Sequence, residues 1–403
     1  MIGKRILVII MLVSVTITSG CWSRKELNEL AVVMALGIDT HEDGYAVSAQ
    51  VLNASETGAK QNSSSMGSLP VITYTSVGKT IPDALQRMLS MAPRALYLSH
   101  LRVLIFGEEL ARQGVGNTMD FISRNHELRR DFFLLVAKGG RASDILEVIT
   151  PFEYIPANSL FSSILISQKR WAATGKITLQ MFITELKRDG SDPVLSGVQL
   201  RGSVQQGRNV ENVKKIQPDT MIQHAGLAVF KRDRLVGWLD ESRSKGVNYI
   251  LNRVVTTVGD IECAGGGVAA YEIHRADSTT HAHLNEKGEP EFRLEMEIEA
   301  NLSAVECAMK LDSPDVITDL EKRIEDRFNT NIAKHIRYVQ SEYGADVFGF
   351  GEALHRQHPK VWKKYRDNWD ERFRTVQIQV NANVAIRRIG SIVQPINEEV
   401  DEP

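Results

Sequence analysis

Between Phe292 and Ala304 the chain alternates without a break. Phe292, Leu294, Met296, Ile298, Ala300, Leu302 and Ala304 point one way, and Arg293, Glu295, Glu297, Glu299, Asn301 and Ser303 the other. Period-two alternation of that length specifies a long strand with one dry and one wet face. Val376, Ile378, Val380, Ala382, Val384 and Ile386 repeat the pattern near the C-terminus. Between the two, Ile317, Leu320, Ile324, Phe328, Ile332, Ile336, Val339 and Tyr343 advance by three or four residues, the spacing of one helical face. Ser313-Pro314 suits its N-cap and first turn, and Gly344 its stop. At 1.5 Å per residue such a helix runs roughly 45 Å, enough to lie across a sheet.

The first half mixes the same elements. Leu30 to Asp39 and Tyr45 to Val51 flank Glu42-Asp43-Gly44 and read as a hairpin. Val71 to Thr75, Arg102 to Phe106 and Asp131 to Lys138 read as strands. A helix starts near Ile81 and ends before Pro93, and another runs from Ala142 to Ile149. Ser55 to Ser68 is rich in Ser, Gly, Asn and Gln and reads as a mobile loop. Gly226 to Phe230 and Leu235 to Leu239 read as a second hairpin. Strands and helices do not follow a regular βαβ order, so the expected class is α+β, multi-domain, with mostly antiparallel or mixed sheets. The segment Arg188 to Gln223 has little periodicity. The expected division is an N-terminal region over 21–205, a linker over 206–222, a C-terminal domain over 223–393 and a disordered acidic tail over 394–403.

The N-terminus bounds where the protein works. Lys4 and Arg5 precede an apolar run from Ile6 to Ile17, which gives way to Thr18, Ser19, Gly20 and Cys21. A basic start, an apolar middle and a small-residue exit are the parts of a secretory signal. The run is shorter than the ~20 residues that span a bilayer. Small residues directly before a cysteine resemble the bacterial lipobox, with Thr18 where Leu is usual. Residues 1–20 are therefore expected to be a signal peptide, and Cys21 the lipid attachment site, carrying diacylglycerol. Two acyl chains hold a protein on a membrane stably. Of the other cysteines, Cys263 and Cys307 could pair in an exported chain. The favoured reading is two buried free thiols, because nothing in the sequence fixes their separation.

Chemistry-bearing motifs are sparse. The formal net charge of −2 gives no electrostatic footprint for nucleic acid, and no charge run suggests a basic membrane patch. Gly78-Lys79-Thr80 evokes a phosphate loop, but Thr73 stands where its first glycine belongs, so Thr80 reads as a helix start. Gly265-Gly266-Gly267 lacks the strand-to-helix setting of a dinucleotide site. His274, His281 and His283 lack a completing carboxylate or cysteine and read as a polar strand face. Trp362, Tyr365 and Trp369 read as docking aromatics. No catalytic, cofactor or metal residues are assigned, and the chain is not expected to be an enzyme.

Several segments together resemble one family. Cys21-Trp22 is followed by Arg24-Lys25-Glu26-Leu27-Asn28-Glu29-Leu30, then by Gly78-Lys79-Thr80. Ser99-His100-Leu101-Arg102-Val103 runs into Gly107-Glu108-Glu109-Leu110. Pro156-Ala157-Asn158, Gly226-Leu227-Ala228-Val229-Phe230, Leu235-Val236-Gly237-Trp238-Leu239 and Asp346-Val347-Phe348-Gly349-Phe350-Gly351 follow in order. The whole mature chain thus resembles the C-subunit lipoproteins of spore germinant receptors (GerC type), with Ser23 where that family usually has Asp. The resemblance implies several α/β domains and a non-catalytic subunit on the outer surface of the spore inner membrane. It implies partners in an A and a polytopic B membrane subunit, sometimes with a small fourth protein, and a response to nutrients such as amino acids or sugars. Only Cys21 is carried over with a chemical role. The alternative is a substrate-binding lipoprotein delivering a small molecule to a membrane permease, which would need two doubly wound lobes. An anchored hydrolase would need paired carboxylates or a nucleophile with its base in one cleft.

Overall fold

The computed structural model describes residue 3 and residues 29–53, 69–263, 266–307, 309, 311 and 313–390. Apart from Gly3, the expected signal peptide, and with it Cys21, the Ser55–Ser68 loop, Gly265 and the acidic tail, lie outside them.

The chain enters through β1 (Leu30–His41), turns at Gly44 into β2 (Gly44–Leu52) and continues in β3 (Val71–Gly78). Then follow α1 (Ile81–Met88), β4 (Ala95–Tyr97), a 3₁₀ turn at Leu98–His100, β5 (Val103–Gly107), α2 (Glu108–Gln113), α3 (Gly116–Arg124) and β6 (Phe133–Ala137). Next come α4 (Ala142–Leu146), α5 (Pro156–Arg170), α6 (Leu179–Leu186) and β7 (Val194–Arg201). Two short helices, α7 (Val204–Gly207) and α8 (Glu211–Lys214), lead to the hairpin β8 (Met221–Lys231) and β9 (Arg234–Leu239). These strands form one sheet in the order β3-β2-β1-β5-β6-β7-β8-β9, with β4 beside the start of β1. Its centre, β1, β5, β6 and β7, is parallel. That explains why β5 and β6 are buried along their whole length: helices cover both faces, so no side of the strand is wet.

The second sheet has the order β10-β11-β12-β13. After α9 (Glu241–Ile250) come β10 (Thr257–Glu262), β11 (Val268–Leu284) and β12 (Pro290–Val305), then α10 (Pro314–Glu342). Helices α11 (Phe350–Gln357), α12 (Pro359–Tyr365) and α13 (Trp369–Phe373) lead to β13 (Ile378–Arg388). The first three strands are antiparallel, and β13 returns parallel to β12, which a crossover of this length permits. Both alternating strands and the long helix stand where their periods place them. Phe292, Leu294, Met296, Ile298, Ala300 and Leu302 are buried, and so are Leu320, Ile324, Phe328, Ile332, Ile336 and Val339 of the helix facing them. The class is α+β. The second sheet is no doubly wound lobe.

The pairings extend or correct the sequence reading at three points. First, β8 and β9 hydrogen-bond to the first sheet, so that sheet runs on past the 206–222 segment. The segment lacks periodicity because it is held by side chains: Asn212 is buried and exchanges two hydrogen bonds with the Thr220 backbone, at 2.9 and 3.0 Å. Second, Cys263 and Cys307 form a disulfide rather than two free thiols, with Cα atoms 6.5 Å apart. They follow β10 and β12, the two neighbours of β11, a proximity that only the sheet order reveals. Third, the first sheet is mixed, as the expected class allows, parallel at its centre and antiparallel toward both edges.

Candidate functional site

Cys21, the position that carries the lipid reading, lies outside the described residues. The description resumes eight positions later at Glu29. Leu30 then begins a central strand, paired with Ala95, at the end of the sheet where β1, β5 and β6 start. An anchor on Cys21 would hold that end toward the bilayer, because eight extended residues reach only about 28 Å.

The segments that carry the family resemblance are built into joints, and most joints centre on a carboxylate. Asp346 is fully enclosed. Its Oδ1 accepts from the backbone N–H of Gly349 (2.9 Å) and Phe350 (3.1 Å), and its Oδ2 from Gly351 N–H (2.8 Å) and the Trp369 indole (3.0 Å). Gly351 lets Trp369 approach, since a Cβ there would lie 2.6 Å from the indole nitrogen. Burial pushes the Asp346 carboxyl up to about 7 against the pull of these donors. Asp192 meets it from the first sheet. Its carboxylate accepts from the backbone N–H groups of Asp346 and Arg232, each at 2.9 Å, and the Asp192 N–H donates to the Asp346 carbonyl at 2.8 Å. Burial raises Asp192 as well. The pair locks the strand entering β7 to the start of α11.

A second joint lies at the far ends of the parallel strands. Asp39 accepts from the N–H groups of Ala142 (2.7 Å) and Ser143 (3.1 Å), at the N-terminus of α4. Gly107 is required beside it, because a Cβ would sit 2.1 Å from the Asp39 Oδ1. Glu108 accepts from Arg112, the Gly139 N–H and the Trp238 indole. Open α/β sheets bind ligands at this end. Here both carboxylates are turned onto the protein's own N–H groups. Gly78-Lys79-Thr80 is a corner rather than a phosphate cradle: Thr80 caps α1 through the Asp83 N–H, and a Cβ on Gly78 would meet the Ala84 nitrogen at 2.4 Å.

The other nominated residues also fall into structural places. His281 lies 3.4 Å from Glu295 and stacks on His283, while His274 stands exposed further along β11. Among the described residues no group of three His, Cys, Asp or Glu converges as a metal site would require. Trp362 and Trp369 pack edge to face in the core. Sequence reading missed both joints. The available signal was a lone acid followed closely by glycines, as in Asp346-Val347-Phe348-Gly349-Phe350-Gly351.

One cleft opens at the end of the first sheet where β1 begins. It holds about 440 Å³, floored by Val32, Met34 and Leu52 and rimmed by His100, Arg102 and Arg129. The Arg102 guanidinium lies over the Phe161 ring at 4.9 Å. A smaller pocket of about 150 Å³ lies between α9, α10 and β10, with Tyr249, Tyr271, Asp260, Arg327 and His335 among its walls.

Comparison with known proteins identifies two family profiles. "Spore germination protein N-terminal domain" matches residues 23–200, and "Spore germination B3/ GerAC like, C-terminal" matches residues 225–390. Spore germination protein KC of Bacillus subtilis (strain 168) is 28% identical over 406 residues, covering 99% of each chain. Spore germination protein B3 of the same organism is 24% identical over 93% of this chain and 95% of its own. The crystal structure of the GerBC protein superposes with a TM-score of 0.53 at 20% identity, over 87% of this chain and 96% of that one, a likeness of fold.

Proposed function

Because the chain belongs to the GerAC family of spore germination proteins, we propose that it serves spore germination as the lipid-anchored C-type subunit of a nutrient germinant receptor. The observation that carries this reading is the in-order match of both family profiles, with relatives aligned end to end. The role is binding rather than catalysis: the enclosed carboxylates are occupied by backbone donors and hold elements together. The Cys263–Cys307 disulfide supports an exported, oxidising setting. The signal-like N-terminus ending at Cys21 supports tethering to the outer face of the cell membrane, which becomes the spore inner membrane. There the protein would meet the A and B subunits, and tethering raises local concentration so that modest interfaces suffice.

Deleting the gene in its spore-forming host and screening spores on a nutrient panel tests the proposal, with a detergent-type germinant as control. The expected result is loss of response to one nutrient class, restored by the wild-type gene and not by Cys21→Ala. Normal germination on every nutrient, in a strain where this receptor is the only one left before deletion, would overturn it.

A further inference from the structure

The tethering reading fixes which end of the molecule meets the membrane, and that end carries a cleft of suitable chemistry. Residues far apart in sequence build it. Val32 lies beside Tyr97 in the β1–β4 pairing, and Leu52 is the last residue of β2. Arg102 enters β5 and Arg129 lies in the loop into β6. No run of basic residues announces the patch, because each loop contributes one or two.

We infer that this cleft docks the phosphate head groups of anionic glycerophospholipids beside the anchor. The inference rests on Cys21 being lipidated. Three features select this occupant. The rim presents the two guanidinium groups and His100 against one carboxylate, Asp131, which pairs with Arg129 at 2.7 Å. Arg102 and Arg129 are both exposed, and Phe161 holds the first by stacking, so a phosphate can engage both without a buried charge being uncovered. The floor is apolar, as the glycerol and upper acyl region of a lipid require. The neighbouring turn adds interfacial character: Leu89 and Met91 are 47% and 50% exposed ahead of Arg94, whose next residue pairs with Leu30. The chain's own residues 22–28 are a poorer complement, since they carry Arg24 and Lys25 against Glu26 alone.

The test uses the mature chain from residue 21 with Cys21→Ser, so that no acyl chain contributes. Flotation with phosphatidylcholine vesicles containing phosphatidylglycerol is compared with flotation on pure phosphatidylcholine. Binding to the anionic vesicles alone is expected, and raised salt should release it. Arg102→Glu with Arg129→Glu should weaken it by about thirtyfold or more, at roughly a fivefold loss per basic residue near an anionic surface. Circular dichroism melting should match the parent, and the salt titration needs no substitution at all. Equal binding to both vesicle types, indifference to the double reversal, or binding of inorganic phosphate without vesicle binding would each overturn the inference. So would an unacylated chain that ignores anionic vesicles while the acylated chain fractionates with membranes, an outcome that leaves the anchor reading standing. If the acylated chain fails to fractionate with membranes, the anchor reading falls, whatever the vesicles show.

Discussion

Asp346 sits where a carboxylate is costly and well served at once: it is enclosed, yet four N–H groups converge on its two oxygens. Burial dominates and lifts the group to about 7, from 3.8 in an unfolded chain. The native state therefore binds a proton more tightly than the unfolded one between about pH 4 and 7. The stability this group contributes is full below that window and is lost as the pH rises through it. Melting temperature measured across the window should carry this downward component, and Asp346→Asn should remove it while lowering stability throughout, because the new amide faces the Gly351 and Trp369 donors. An unchanged pH profile in the variant would refute the assignment. The disulfide belongs to the same scale. It closes a loop of 44 residues, for which chain entropy gives about 4 kcal/mol. Denaturant unfolding with and without reductant measures this, and Cys263→Ser with Cys307→Ser should reproduce the reduced curve. The sequence offered both cysteines but not their partnership, because only β11, inserted between β10 and β12, brings their backbones within reach.

Elements show most clearly what a period can and cannot reveal. The apolar stripe of α10 and the dry faces of β12 and β13 were legible because burial against a sheet imposes a strict repeat. A second stripe beside it was not. Glu321, Glu325 and Asn329 each follow a core residue of the helix, and their side chains accept from the N–H groups of Ile386 (2.7 Å), Val384 (3.0 Å) and Ala382 (2.7 Å). The match is metric: four helical residues rise about 6 Å, and two strand residues about 6.6 Å. The helix thus covers the donor row of an edge strand that would otherwise invite pairing with another chain. In sequence, polar residues at i, i+4 and i+8 look like an ordinary solvated face. Replacing all three by Ala should leave the core packing intact, lower the melting temperature and create concentration-dependent self-association. Light scattering behind a sizing column would read this, and a strictly monomeric variant would show that the edge needs no guard.

At the scale of the whole molecule, the two sheets behave as one packed body. Ala172, Val194, Leu227, Val229 and Leu239 of the first half share a continuous core with the inner face of the second sheet. The Tyr343 hydroxyl donates to the Trp238 carbonyl at 2.9 Å, and Asn248 donates to the carbonyls of Ala172 and Thr174. The β8–β9 hairpin joins the first sheet although it follows a segment rich in Gly, Ser and Asn, because such a composition marks a segment without periodicity, not one without long-range partners. The Asp192–Asp346 joint is one of these links between the halves, and there Gly190 and Gly351 bring two backbones together. A Cβ on Gly351 would lie 2.7 Å from the Gly190 Cα, and Gly190 itself holds φ +76°. Calorimetry of the wild-type protein should therefore show one cooperative transition. Gly351→Ala should cost about 1–3 kcal/mol by overpacking and should separate the transition into two, because it displaces Trp369 from Asp346 and loosens the clasp while leaving each sheet's own core alone. If the chain is the anchored receptor subunit proposed above, that variant should stay with spore membranes and yet lose the nutrient response, separating anchoring from communication between the halves. A single unshifted transition in Gly351→Ala would mean that the shared apolar core, and not the carboxylate clasp, makes the two sheets cooperate.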